Sequence, residues 1–245
     1  MIITVDRIGA VNQFEFNGKK SFSDMNLIIT ETPVITCPER DIEFVSVPGR
    51  SGDIINDNGR YKNITISYKV ALLAEYDRLS AYLDRIKAWL YGSTGYFKLS
   101  DTYDPLYYRM ASVSGAIEVT NRLNAIGTAT IQFNCKPFKY RIQNAVTITA
   151  ARNLINPEAW ESVPYIKIIG SGDITLSINE NSYEFSDVDE YIEVDGEIMA
   201  AYKGTQLQND KIHFTDFPTL APGKNSISFV GNVTEIQISP RWRTL

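Results

Sequence analysis

The chain has 245 residues, of which 44% are hydrophobic and 22% are charged, and its formal net charge is −5. This length allows two domains with separate cores, and the ordinary composition argues against a disordered or disulfide-dependent chain. A mildly acidic balance, with a pI of about 5.1, lacks the general electrostatic signature of a nucleic-acid-binding protein. The first residues lack a signal-peptide pattern, and no stretch approaches the roughly 20 apolar residues of a membrane span. We therefore expect synthesis and folding in the cytoplasm.

The first 140 residues are predicted to be mostly β-strands. Segments rich in Ile, Val, Thr, Tyr and Phe with partial alternation of apolar and polar residues indicate strands. These segments are DIEFVSV, NITISYKVAL, YFKLS, LYYRMASVSGAIEV and GTATIQFNCK.

The glycine-rich stretch SVPGRSGDIINDNGRY, residues 46–61, joins the first two of these strands. It is similar to a calcium loop, but with Gly59 in the sixth position the first ligand would be Ile54, which has no oxygen to donate. We interpret it as a connection, with Pro48 stiffening its entry and Asn58-Gly59 forming a tight turn at its return.

One segment, LAEYDRLSAYLDRIKAWLYG, is predicted to be an amphipathic helix of about four turns. Its apolar residues recur at helical spacing, and Gly92 stands where a C-terminal cap is expected. The acidic and basic residues fall on the opposite face. The N-terminal region is therefore predicted to be α+β.

After Pro164 short strands follow one another, separated by Gly, Asn, Asp or Pro turn signals. Many short strands with regular turns are typical of a β-sandwich. We predict an N-terminal α+β domain over residues 1–140, a crossing segment over residues 141–163 and a C-terminal β-sandwich over residues 164–245. The fold class is therefore predicted to be mainly β.

The chemistry-bearing residues give little support for catalysis or metal binding. Cys37 and Cys135 are too few for a thiolate zinc site; reduced buried thiols are the favoured interpretation, and a single disulfide stays open. His213 is the one histidine, which excludes a site made of several imidazoles, and its alternation with apolar neighbours favours an outward-facing strand residue. No phosphate-binding loop is present. We predict no metal, no cofactor and no enzymatic activity.

Two groups of carboxylates are candidate acid–base pairs. Asp101 and Asp104 lie close together, and Asp187, Asp189 and Glu190 form a second group. A glycosidase needs two carboxylates held about 5–10 Å apart, which a sequence does not reveal. Turn formation and a solvated acidic turn are the favoured interpretations.

Aromatic residues make up 11% of the chain. Exposed Tyr and Trp side chains stack on sugars or anchor interfaces, although packing in a core is the default. The aromatic residues that stand out are Tyr103, Tyr107, Tyr108, Trp160, Tyr183 and Trp242.

Taken in order, several motifs resemble the distal tail (Dit) proteins of long-tailed, siphovirus-type phages. The N-terminal ones are FEFNGKKSFSDMNLIIT, VSVPGRSGDI, the amphipathic helix, DTYDPLYYRMASVSG and GTATIQFNCKPFKY. The closing PGKNSISFVGN and IQISPRWRTL are similar to the C-terminal ends of the same proteins, so the resemblance covers nearly the whole chain.

The resemblance implies a structural protein of the virion tail tip. Distal tail proteins form a hexameric ring hub that joins the tail tube protein to the tail-associated lysin or fibre and often carries receptor-binding proteins. It also implies a ring-building N-terminal domain around a channel that DNA passes through without specific binding, and a galectin-like C-terminal sandwich. With 245 residues the chain has no room for the inserted sugar-binding modules of longer relatives.

Within that interpretation, the stretch at residues 46–61 is a candidate interface with a neighbouring subunit or with the tube ring. Its polar contacts are predicted to be Arg50, Asp53 and Arg60, and a solvated loop is an equally weighted alternative. The full candidate set is Pro48, Gly49, Arg50, Gly52, Asp53, Arg60 and Tyr61. The alternative function is a carbohydrate-binding β-sandwich module that contacts the host cell surface, and a glycoside hydrolase ranks last.

Overall fold

The computed structural model describes residues 11–73, 78–117, 119–122 and 126–245. The chain divides into two compact units, and the boundary between them lies between Lys139 and Tyr140. The described residues are mainly β-strand with a single α-helix, which confirms the predicted fold class.

The N-terminal unit is a β-sheet with one helix, α1, and a separate two-stranded hairpin. Its elements are β1 (Phe14–Phe16), β2 (Lys19–Lys20), β3 (Leu27–Ile29), β4 (Arg40–Val45), β5 (Ile54–Tyr61), β6 (Ile64–Leu73), α1 (Leu79–Tyr91), β7 (Phe97–Asp101), β8 (Tyr107–Ser114), β9 (Val119–Arg122) and β10 (Ile126–Arg141). The sheet order is β2-β1-β7-β8-β10-β6-β3, and β9 pairs with β10. Strands β10 and β6 pair antiparallel from Ile126 opposite Leu73 to Cys135 opposite Ile64.

Aromatic side chains fill the core between α1 and the sheet. Phe14 stacks on Tyr68 and on Trp89, with ring centroids 4.8 Å and 5.8 Å away, and meets Phe133 edge to face. The indole Nε1 of Trp89 donates a 3.0 Å hydrogen bond to the backbone oxygen of Phe16, which satisfies the buried polar atom of the ring. Each such aromatic pair contributes about 0.5–1.5 kcal/mol beyond its area burial. The helix is therefore fixed to β1 by both packing and a hydrogen bond.

The predicted helix is present, and its apolar stripe faces the core through Leu79, Ile86, Trp89 and Leu90. The part of the prediction at residues 74–77 lies outside the described residues. Gly92 does stand at the C-terminal end, but its φ is −69°, and its N–H donates to the oxygen four residues earlier. Gly92 therefore continues the helical hydrogen bonding in a right-handed conformation and does not form a left-handed C-terminal cap.

The C-terminal unit is all β apart from one short 3₁₀ turn at Asn209–Lys211. Its strands are β11 (Val146–Ile148), β12 (Arg152–Asn156), β13 (Tyr165–Ile178), β14 (Asn181–Val188), β15 (Tyr191–Asp195), β16 (Ala200–Lys203), β17 (Gln206–Leu207), β18 (Gly223–Ser239) and β19 (Arg243–Thr244). The sheet order is β11-β18-β13-β15-β16-β17, with β12 on β18 and β14 on β13. Both β11 and β12, which fall in the predicted crossing segment, pair with β18.

Strands β13 and β18 are long, and each contributes to two parts of this sheet. Their pairing shifts register between Ser171 and Thr175, at the place where β13 changes partner from β15 to β14. Buried side chains from both parts of β13, Ile166 and Ile174 among them, belong to one core cluster. The two parts of the sheet therefore share one core, and Trp242 and Tyr183 are buried in it, as default packing predicts.

The two cysteines are free thiols in different environments. Cys135 is fully buried, and burial raises the pKa of its thiol to about 12. Cys37 is exposed, so the prediction that both thiols are buried is wrong for this residue. It precedes β4 in a segment without regular structure, where no strand carries its side chain into the core.

Candidate assembly surface

The stretch predicted to be a loop is one half of a β-hairpin, which we call the arm. Strands β4 and β5 form their own two-stranded sheet, so the segment from Ile54 to Tyr61 is a strand rather than a connection. The turn of the arm lies at Val47–Arg50, where the Arg50 N–H donates to the Val47 oxygen at 3.1 Å. Pro48 precedes Gly49, whose φ is +80°, and this is the sequence and geometry of a type II turn.

The predicted tight turn at Asn58-Gly59 is wrong, because this pair lies inside β5. The register between the strands shifts from Arg40 opposite Tyr61 to Ile42 opposite Asp57, which leaves extra residues on β5 as a bulge. Gly59 takes a φ of +69° there, and its N–H donates to the Asp57 carboxylate at 2.9 Å. Gly59 has the positive φ that the sequence indicated, but this conformation forms a β-bulge instead of a hairpin turn.

The arm exposes large apolar side chains on both of its faces. Phe44 and Ile55 are directly opposite each other in the register, and they are 60% and 61% exposed. We call them the apolar pair. Val45 and Ile54 form the next cross-strand pair on the other face, and each is 42% exposed. Contiguous exposed apolar residues of this kind make the arm a candidate interaction surface.

The polar side chains of the arm are mostly paired within it. Arg40 donates from Nε to Asp57 at 2.7 Å, and this hydrogen bond with the Arg40 charge holds the pKa of Asp57 below its usual range. Arg60 donates from Nε to Asp41 at 2.6 Å across the two strands. Ion pairs across its two strands therefore stabilise the hairpin, while its large apolar side chains remain exposed to solvent.

The structure brings the candidate interface residues together in the arm, but it gives them different positions. Pro48, Gly49, Arg50, Gly52 and Asp53 lie at the exposed turn end. At the other end, the Tyr61 ring meets Phe138 edge to face, with centroids 5.9 Å apart.

The apolar pair was not predicted from the sequence, because the pattern placed Phe44 in a strand without assigning its exposure and Ile55 in a loop. The signal was available in the sequence. The segment IINDNGRY begins with two β-branched residues directly after a glycine-rich turn, which is the pattern of a returning hairpin strand.

The first carboxylate group is a structural turn, as the favoured interpretation predicted. Asp101 accepts hydrogen bonds from the N–H groups of Tyr103 and Asp104, at 2.9 and 3.0 Å. Its second oxygen accepts from the Tyr68 hydroxyl at 2.6 Å, and Asp104 forms a 2.6 Å ion pair with Lys139. Burial and the Asp101 carboxylate together raise the pKa of Tyr68. Both carboxylates are thus engaged in holding the β7–β8 connection.

The second group is an exposed acidic turn in the C-terminal unit. Lys203 bridges Asp189 and Glu190, at 2.9 and 3.1 Å, and the Lys203 hydrogen bond lowers the pKa of Asp189. His213 is exposed, as predicted for an outward-facing residue, and its Nε2 lies 2.8 Å from the hydroxyl of Ser186. Within the part of the chain that the structure describes, no group of three or more His, Cys, Asp or Glu side chains could hold a metal ion.

The outer face of strands β13 and β15 carries two partly exposed tyrosines, Tyr165 and Tyr191. The Lys167 Nζ lies 3.9 Å from the Tyr191 ring centroid and covers that ring. The Tyr165 hydroxyl donates to Glu193 at 2.5 Å, and the Arg241 guanidinium lies 6.0 Å from the Tyr165 ring. Both rings are engaged in contacts within the unit, so neither of these two tyrosines is a free platform for stacking on a sugar.

Comparison with known proteins finds a family match within the N-terminal unit. Residues 20–135 match the family model described as the phage tail protein RIFT-related domain. No curated protein matches the chain. None of the helices in the described ranges is both long and apolar enough to cross a membrane.

Solved structures resemble the whole chain. The Dit protein of phage SPP1, described as a paradigm of the hub adsorption apparatus in phages that infect Gram-positive hosts, is similar with a TM-score of 0.75. The identity is 10%, and the match covers 96% of this chain and 100% of that chain. Chains of the activated phage p2 baseplate, solved with strontium and with calcium, match with a TM-score of 0.54 and 12% identity, over 94% of this chain and 97% of theirs. At these identities the likeness establishes a shared fold. Residues 20–135 therefore match a phage tail protein RIFT-related domain, and the fold shared with the SPP1 Dit protein agrees with the resemblance to distal tail proteins indicated by the sequence motifs.

Proposed function

We propose that this protein is a structural component of the phage tail tip that forms a hexameric ring hub. The ring joins the tail tube to the tail-associated lysin or fibre and carries receptor-binding proteins. The observation that carries the proposal is the arm, a hairpin with exposed apolar residues on both faces, within a chain that has the fold of a phage hub protein.

A ring needs two different complementary surfaces on each subunit, because its subunits meet head to tail. The arm supplies one such surface. Its turn end, with Arg50 and Asp53 exposed, suits contact with a neighbouring subunit or with the tube ring. The apolar strands behind the turn supply the desolvated area that a stable interface requires, which is commonly more than about 1,000 Å² in total.

The proposal that this protein lies at the tail tip rests on its similarity to solved hub and baseplate proteins. The SPP1 protein is described as a hub, and the p2 chains belong to a baseplate, so the proposed partners are the proteins above and below such a hub. Phage DNA passes through the channel without specific binding, which suits a chain with a net charge of −5. The engaged carboxylates at the β7–β8 connection support a role without enzymatic activity.

The test is the mass of the purified protein, measured by light scattering after size exclusion over a range of concentrations. Six chains of 27.6 kDa predict a particle of about 166 kDa. Replacing Arg50 with Glu reverses one charge at the turn end and should weaken the assembly. A mass of one chain at every concentration would contradict the proposal, whereas an unchanged mass in the Arg50→Glu protein would remove only the assigned role of Arg50.

A further inference from the structure

An apolar groove lies beside α1 in the same N-terminal unit as the arm. It has a volume of about 420 Å³, within the range of pockets that enclose a drug-sized ligand, and it therefore has room for large side chains. The residues around it are Leu83, Ile86, Lys87, Tyr91, Gly115, Ala116 and Ile117.

The groove is built from fixed parts of the fold. Ile86 is buried against the aromatic core, and Leu83 and Ile117 pack on the same core from its edge. The Tyr91 hydroxyl donates to the Gly115 oxygen at 2.8 Å, which ties the helix to the segment after β8. Lys87 is paired with Asp84 at 3.4 Å, so the charge beside the groove is directed to a neighbour on the helix. The space between these parts is lined mainly by apolar side chains.

We propose that the apolar pair of one chain, Phe44 and Ile55, binds in the α1 groove of a second copy of this chain. The assignment rests on the proposed ring and names its two complementary faces. The projecting face is on the arm, the receiving face is on α1, and contact between them leaves a free arm and a free groove at the two ends of every partial assembly. Such a contact is heterologous, and it closes only when the ring is complete.

The chemistry of the two faces supports this occupant. Phe44 and Ile55 project from one face of the hairpin as a compact aromatic and aliphatic unit, and about three-fifths of each is exposed. The groove offers aliphatic side chains and the ring of Tyr91, which is itself 47% exposed. Interfaces concentrate their binding energy where such anchors enter well-packed pockets, and the surrounding contact mainly excludes water. The apolar pair then acts as the anchor of a larger interface.

The decisive experiment uses two variants that each damage one face. Phe44→Ser with Ile55→Ser removes the apolar pair and leaves the groove, whereas Ala116→Trp fills the groove and leaves the pair. Val230→Ser is the matched control, because Val230 is an exposed apolar residue (73%) in the C-terminal unit. Circular dichroism and thermal unfolding establish that each protein is folded. If Ala116→Trp does not fold, Ala116→Glu places a charge in the groove instead.

We expect each variant alone to lose self-association by at least about thirtyfold in concentration, as for loss of an interface hot spot. The control should assemble like the unmodified protein. Mixed in equal amounts, the two variants should form a heterodimer of about 55 kDa, twice the 27.6 kDa of one chain. One intact pair and one intact groove remain in such a mixture, so growth stops at two chains.

Two results would overturn the assignment and leave the proposed function standing: assembly that persists in either variant, or variants that lose assembly but stay monomeric when mixed. Unmodified protein that never associates would contradict both the groove assignment and the proposed ring.

Discussion

The close approach of β13 and β18 at their register shift allows a sharp test of the C-terminal fold through Gly231. Gly231 has a φ of +117°, and a Cβ atom there would lie 2.5 Å from the backbone oxygen of Asp173 and 3.1 Å from the Cα of Ile174. Both atoms belong to the backbone of β13, so a side-chain rotation does not relieve the contact. Replacing Gly231 with Ala should therefore force the two strands apart.

The size of the effect follows from two costs. A positive φ costs a residue with a Cβ about 1–2 kcal/mol, and overpacking of a well-packed region costs about 1–3 kcal/mol. Gly231→Ala should lower the free energy of unfolding of the C-terminal unit by about 2–5 kcal/mol. Gly172 is the matched control, since its φ is +77° but a Cβ there meets nothing within 4 Å. Gly172→Ala should show only the backbone cost.

The assay is urea unfolding followed by tryptophan fluorescence in a Trp89→Phe background. Trp160 and Trp242, the remaining tryptophans, both belong to the C-terminal unit, so the signal reports that unit alone. The expected result is a lower midpoint for Gly231→Ala than for Gly172→Ala, at equal slope. Equal losses in the two variants would refute the argument that close approach of the strands requires glycine at position 231.

Three further predictions concern buried polar groups of the C-terminal unit. Asn225 is fully buried, accepts a hydrogen bond from the Ala221 N–H and donates to the backbone oxygens of Ala221 and Gly223. Asn225→Ala should therefore lower the free energy of unfolding in urea by about 2–4 kcal/mol, and a loss below about 1 kcal/mol would contradict this. Burial raises the pKa of Asp195, but its two hydrogen bonds with Arg241 outweigh burial, and the net pKa is lowered. The ion pair should therefore stabilise the folded unit fully above about pH 4, and this stabilisation should be lost as the pH falls through the folded pKa of Asp195. Urea midpoints measured against pH should show this dependence, and Asp195→Asn should reduce it. The buried Ser162 hydroxyl has no hydrogen-bond partner among the described residues, so Ser162→Ala should leave the thermal midpoint unchanged or raise it, and a clear decrease would reveal a missing partner.

The sequence predicts the parts of this fold that depend on local pattern. The helical spacing from Leu79 to Leu90 reflects one buried face, and it identified α1 because that face is continuous. The stiffening role of Pro48 was also predicted, and in the structure Pro48 and Gly49 form a type II turn. Such features are predictable from sequence because each depends only on a few residues that are close together in the chain.

The candidate surface was only partly predictable, for a physical reason. Whether Phe44 faces a core or solvent depends on which strand pairs with β4, and among the described strands that partner is β5 alone. An exposed strand and a buried strand have the same β-branched and aromatic composition when a partner molecule covers the exposed one. The sequence Asn58-Gly59 is likewise ambiguous, because a tight turn and this kind of bulge both require a positive φ.

The central claim, that the protein builds a ring hub, is tested most directly by negative-stain images of the purified protein with class averages calculated without imposed symmetry. The account predicts sixfold particles with a central hole, formed at concentrations where the protein with Phe44→Ser and Ile55→Ser gives none. Compact particles of a single chain, with no ring at any concentration, would contradict it.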